Sequence, residues 1–253
     1  MKRFISILLV AVLALAVFTG CTPAEVEDNK LVIGYTIYEP MNFMDENDEL
    51  TGFDTEFANA VCAKLGLVPE FVEINWDTKF VTLDADKIDC IWNGMTISDE
   101  VLANCLVSLP YVKNAQVVVM SEDAIVDFAD IESLKELKFA AEAGSAGEAA
   151  IVDNGLDANY APVATQMDAV LAVAGKQADA CVIDITMAKA ITADGTSYDD
   201  LAIGLELTTE EYGIGFRKAD EALRDSVDEA ILALVEDGTL PALAEKYALN
   251  LAF

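Results

Sequence analysis

The chain has 253 residues, with 15 basic and 45 acidic side chains, no histidine and a formal net charge of −30. A surface of that sign cannot neutralise phosphates, which excludes nucleic acid as a partner. The absence of imidazole excludes serine–histidine nucleophiles, histidine-ligated metals and histidine general bases.

Lys2 and Arg3 precede an almost wholly apolar run, residues 5–18, as a charged n-region precedes a short h-region. The run falls short of the ~20 apolar residues of a spanning helix, so residues 1–20 read as a signal peptide. Phe18-Thr19-Gly20-Cys21 resembles a bacterial lipobox. That implies lipidation at Cys21 and a membrane anchor; an ordinary secretory signal with a chance cysteine is the alternative. Residues 21–29, polar and acidic, suit a tether. The remaining cysteines, Cys62, Cys90, Cys105 and Cys181, form no C-x-x-C pair, so zinc and thioredoxin-type chemistry have no motif. Cys62, Cys90 and Cys181 lie in apolar runs and read as buried thiols, while a Cys90–Cys105 disulfide is conceivable in an oxidising compartment. No cofactor and no metal are expected.

Residues 31–35 read as a first strand, followed by a loop carrying Tyr38, Glu39 and Phe43 and a polar turn at 45–52. Phe53, Phe57, Val61 and Leu65 recur at four-residue steps, one apolar helix face closed by Gly66. A strand over 68–74 and a short helix over 76–83, opening on Trp76, come next. Residues 88–92 form an apolar run typical of a buried strand, and Asn93-Gly94 is a loop signal. Met95, Thr96 and Ser98 then fall at the strand's carboxyl end, where open α/β sheets bind ligands. Residues 116–120 are strongly β-forming and read as the strand leaving a first lobe. A strand over 138–141 leads to Gly144-Ser145-Ala146-Gly147 at a helix start. A helix at 168–174 and a strand at 178–183 follow, with Asp184 opening another helix. A strand at 201–204, a return segment at 210–218, a long amphipathic helix at 219–237 and a closing helix at 238–247 complete the chain. Strand–helix alternation with two crossings implies an α/β chain of two lobes.

Several stretches carry a resemblance: Asn93 to Glu100 (NGMTISDE), Ser108-Leu109-Pro110-Tyr111, Leu50-Thr51-Gly52-Phe53-Asp54, the run EEYGIGFRK at 210–218, and the Gly238-Thr239 start of the closing helix. Together, and in this order, they resemble the polar amino-acid-binding proteins that feed ABC importers, family 3 of the extracellular solute receptors. The resemblance implies a type II periplasmic-binding-protein-like fold, each lobe a mixed sheet flanked by helices. It implies a first lobe of residues 30–118 plus 213–253, a second of 119–212, and hinges near 119–121 and 208–212. It further implies an extracytoplasmic monomer that closes on a small ligand and then meets an ABC permease in the membrane. The site it implies has an aromatic sandwich of Tyr38, Phe43 and Trp76, lined also by Asn93 and Met95. Asp184 would take an ammonium group with the Thr96 hydroxyl and the Gly94 carbonyl, and Ser145 and Ala146 would offer helix N-terminal amides to a carboxylate. Asp184 and the glycine-rich turn also have plain readings, as a helix cap and an ordinary turn.

One departure matters most: Val101 stands where the family carries the arginine that grips the α-carboxylate. Loss of one partner of such a buried pair typically costs about 2–5 kcal/mol, tens- to thousands-fold in affinity. Leu109 and Glu39 also differ, and Glu39 is expected to add negative charge near the mouth. The expected ligand is therefore an amine or other cation with a weak or absent carboxylate. Two other classes stay open: a cyclohexadienyl-dehydratase-like enzyme on the same fold, with Glu39 as its candidate acid, and a ligand sensor without transport.

Overall fold

The computed structural model describes residues 29–253; the expected signal peptide, Cys21 and nearly all of the expected tether lie outside the described residues. In chain order the strands are β1 (Lys30–Tyr35), β2 (Phe43–Met44), β3 (Leu50–Thr51), β4 (Val68–Glu73), β5 (Cys90–Thr96), β6 (Leu106–Val107), β7 (Val112–Asn114), β8 (Gln116–Ser121), β9 (Phe139–Glu142), β10 (Tyr160–Val163), β11 (Ala180–Asp184), β12 (Leu201–Glu206) and β13 (Glu210–Phe216). The helices are α1 (Phe53–Leu65), α2 (Lys79–Asp84), α3 (Asp99–Asn104), α4 (Glu122–Ile125), α5 (Ile131–Leu134), α6 (Ala146–Asp153), α7 (Gln166–Ala174), α8 (Ile185–Ile191), α9 (Glu221–Glu236) and α10 (Thr239–Lys246).

Two mixed sheets divide the chain. The first runs β4-β1-β5-β13-β6, with β7 also on β13, and the second runs β10-β9-β11-β8-β12. β2 and β3 form a small separate hairpin. The chain passes from the first sheet to the second at Ala115, between β7 and β8, and returns between Glu206 and Glu210. The strand expected to leave the first lobe thus lies wholly in the second, and residues 119–121 end β8 rather than forming a crossing. The reason is burial: Val117, Val118, Val119 and Met120 are all inaccessible. Such a run needs a neighbour on each edge, which β11 and β12 supply as antiparallel partners.

The first lobe is held by α1. Phe53, Phe57, Val61 and Cys62 are buried on it, and Gly66, at φ 70°, ends it by donating its N–H to Cys62 O. Phe57 meets Trp92 edge-on at 5.1 Å and Tyr111 at 5.4 Å. Each large side chain buried in this way is worth roughly 1.5–3 kcal/mol. Asp54, in the first turn, does more than complement the helix dipole: its buried carboxylate accepts the Gly94 N–H at 2.6 Å and the Tyr111 hydroxyl at 3.0 Å. All four described cysteines are free and buried.

Asn93-Gly94 does not end β5. The strand continues to Thr96 through Gly94, at φ +53°, with a register shift in the facing strand between Gly213 and Gly215. A β-carbon at Gly94 would stand 2.7 Å from the Tyr38 ring. Both the backbone and the space therefore require glycine there.

Candidate functional site

The two lobes touch across their facing edges. Lys79 Nζ of the first donates to Gly144 O of the second at 2.7 Å, and the Tyr38 hydroxyl is bonded to Thr186. A β-carbon on Gly144 would meet the Asp77 backbone at 3.0 Å. Between the lobes lies a cavity of about 170 Å³. This is below the ~300–1,000 Å³ of sites for drug-sized molecules, so it suits a small solute.

The first lobe's wall comes from β5, the segment after it, and the turn before α2. Trp76, Asn93, Gly94, Met95, Thr96 and Val101, all named as candidate site residues, line the cavity. Val101 is buried on the first turn of α3, where Ser98 caps the helix by accepting the Val101 N–H. The arginine position is thus inside the cleft and apolar. Lys79, unassigned from the sequence, also lines it. Its ammonium is already committed to Gly144 O and, at 3.3 Å, to Trp76 O, and it lies 4.9 Å from the Trp76 ring centre and 4.8 Å from that of Phe80. Burial holds its pKa below the usual lysine value.

The second lobe's wall is acidic. Asp184 ends β11 and precedes α8, but its side chain makes no capping bond. Its Oδ1 accepts from Gln116 Nε2 at 2.8 Å and from Asn114, and its Oδ2 accepts from Gln166 Nε2 at 2.5 Å. Gln166 returns the contact by accepting the Asp184 N–H at 3.0 Å. Glu210, at the return crossing, accepts from the same two amides, Asn114 at 2.6 Å and Gln116 at 2.7 Å, and from the Thr96 hydroxyl at 2.7 Å. The amides orient both carboxylates without cancelling their charge. Burial first, and then the Glu210 carboxylate, push the Asp184 pKa well above the ordinary range. Glu142, ending β9, is buried and lines the same cavity, and its Oε1 has no hydrogen-bond partner among the described residues. Burial and the nearby Asp184 raise it to about 8. Glu100 and Asp153 line the cavity from more exposed positions.

Ser145 and Ala146 also line the cavity, at the start of α6. The Ser145 hydroxyl is occupied as a cap for the Glu148 N–H at 3.2 Å, while Glu148 folds back to accept the Gly144 N–H at 2.7 Å. Two sequence-predicted residues are not brought to the cavity. Tyr38 is buried, with its hydroxyl 2.5 Å from that of Tyr212, so it joins the lobes from behind. Phe43 lies in the β2–β3 hairpin, partly buried and outside the lining. Trp92 packs in the first lobe's core. Glu39 is exposed and off the lining, so the negative charge of the cleft comes from Glu142, Asp184 and Glu210 instead. Glu142, Glu210 and Gln166 were missed in the sequence. Glu142 carried a signal of the kind used for Asp184, an acid ending an apolar strand just before a glycine turn; the predicted strand 138–141 stopped one residue short of it.

Two sheet-based lobes joined by two crossings, with a partly open cavity of charged and apolar groups between them, are the arrangement of a solute-binding protein that holds its ligand between lobes. Residues 31–250 match the bacterial extracellular solute-binding proteins, family 3, and the chain belongs to that family. The chain is 30% identical to the L-cystine-binding protein TcyJ of Escherichia coli K12 over 87% of its length and 83% of that protein's. It is 28% identical to the L-arginine-binding protein of Pseudomonas aeruginosa, over 92% and 93% of the two chains. The structure of an ABC uptake transporter substrate-binding protein from Streptococcus pneumoniae with bound histidine superposes at a TM-score of 0.79. It shares 28% identity, with 87% of this chain and 92% of that one covered. The chain is thus a binding component of the ABC-importer class, and proteins of this family work outside the cytoplasm.

Proposed function

We propose that this protein is the lipid-anchored receptor of an ABC importer and that its guest is a small cation lacking a strongly held carboxylate. One observation carries the reading: Glu100, Glu142, Asp153, Asp184 and Glu210 line the cavity against a single cation, Lys79, whose ammonium is already bonded to two backbone carbonyls. A guest ammonium is attracted to such a site, whereas a guest carboxylate finds no arginine and only a partly occupied helix start. The cystine-, arginine- and histidine-binding relatives support an amino-acid-like guest, and Val101 marks where this chain departs from the arginine grip. Asp184 with Glu210 takes the ammonium, and Trp76 and Met95 cover the apolar part of the guest.

Ala115 and residues 207–209 serve as hinges. A ligand touching both lobes binds the closed form more tightly than the open one, which is the condition for ligand-driven closure. A permease then recognises the closed monomer, tethered through Cys21. The relatives, all named as binding proteins, support binding without turnover, and Glu39, the candidate acid of the dehydratase reading, is outside the cavity. Calorimetric titration against a panel of amino acids and amines tests this. Amines are expected to bind with standard amino acids far weaker; micromolar binding of an ordinary α-amino acid with no amine bound overturns it.

A further inference from the structure

Glu142 is not accounted for by an ammonium site at Asp184 and Glu210. Asn114, Gln116 and Gln166 serve Asp184, and Asn114, Gln116 and Thr96 serve Glu210, so these two carboxylates are oriented by donors the chain supplies. Glu142 is as buried as Asp184, at 4% exposure, yet its Oε1 meets no donor among the described residues, and no ion pair joins it to Lys79. A buried carboxylate left without a partner is among the most unfavourable arrangements a fold can hold, and this one faces a cavity rather than packed atoms. It stands where a bound molecule can provide what the chain does not.

The topology brings it to the same cavity as the first site. β9 and β11 are parallel neighbours, Phe139 opposite Ala180 and Ala140 opposite Cys181, so Glu142 and Asp184 emerge at the same sheet edge. Both carboxylates line the same cavity of about 170 Å³, a space that a short aliphatic chain can occupy.

Resting on the cationic-guest reading above, we propose that Glu142 is a second cation subsite and that the guest class is a short dication: two amine-type groups on a short apolar spacer, one held by Asp184 and Glu210, the other by Glu142. Trp76 and Met95 then cover the spacer, and Lys79 stays on its backbone carbonyls.

The test uses the folded chain without its signal segment, titrated calorimetrically with 1,4-diaminobutane and with n-butylamine, which has the same length and one charge. The native protein is expected to bind the diamine about tenfold or more tightly than the monoamine, the scale for gaining a partner at a buried charge. Glu142→Gln is expected to bring the diamine down to the monoamine's level, weakening the diamine by about tenfold and n-butylamine by far less. Glu142→Leu, which replaces the carboxylate with apolar atoms, serves as the second variant and is expected to erase the same preference. Equal affinities on the native protein, or equal weakening of both probes by the variants, overturns the dication proposal and leaves the cationic-guest reading standing. Binding of an α-amino acid with neither amine bound overturns both.

Discussion

The two walls of the cleft differ in kind. The first lobe presents Trp76, Met95 and Val101, apolar groups whose backbone is fixed by β5 and by the Ser98 cap of α3. The second lobe presents Glu142 and Asp184 at the ends of adjacent parallel strands, facing Glu210 at the return crossing. On the cationic-guest reading proposed above, the apolar wall gives shape and the acidic wall sets which charge the guest must carry. An apolar wall also strengthens whatever charge interaction faces it, because fewer waters screen it.

The comparison breaks most directly at Asp184. Asp184→Asn keeps the shape and removes the charge, and calorimetry is expected to show a loss of amine affinity of about a hundredfold, within the range for one partner of a buried charged pair. A change under threefold would mean that the acidic wall is scaffolding. Val101→Arg gives the apolar wall a cation at the family's arginine position. It is expected to raise affinity for zwitterionic amino acids by roughly tenfold or more and to weaken amine binding, in the same titration. Removing the ring in Trp76→Ala is expected to weaken a bound cation by several-fold, as the loss of one aromatic face implies.

Acidity offers a further probe. Glu142 is raised to about 8 and Asp54 to about 7, both chiefly by burial. Carboxyls with raised folded-state pKa values hold protons that the unfolded chain has released. Their contribution is complete below the ordinary carboxyl range and is lost as pH rises through the folded values. Melting of the ligand-free protein is thus expected to fall between about pH 4.5 and 8, and Glu142→Gln is expected to flatten the upper part of that slope. A melting temperature that rises over this interval contradicts the assignment. The smallest effect belongs to Phe43→Ala: with its ring on the β2–β3 hairpin and off the cavity, binding is expected to shift by less than about twofold, as at a site making no contact with the guest.

How much of this was legible in the chain depends on the range of the interaction. The Phe53, Phe57, Val61 periodicity gave α1, the 210–216 run gave β13, and the order of motifs gave the two-lobe fold, since each is written in local pattern. Asp184, which alone also reads as a helix cap, came from the family resemblance, whereas Thr96 could be brought to the cavity because a polar residue at the carboxyl end of an apolar run falls at a ligand-binding edge. Tyr38 misled for the same reason: an aromatic residue in a loop after a strand looks like a site residue until Thr186 and Tyr212 engage its hydroxyl from distant parts of the chain.

The sequence by itself determined the charge and the alternation of strands and helices, because composition and short-range periodicity depend only on neighbours along the chain, and its resemblance to a family marked the absent arginine at Val101. Tertiary structure alone decided that Glu142 shares a cavity with Asp184, that Lys79 is engaged by backbone carbonyls, and that Asn114 and Gln116 hold Glu210 beside Asp184. Electrostatic coupling depends on distance through space and on the loss of water, and neither is written in the order of residues.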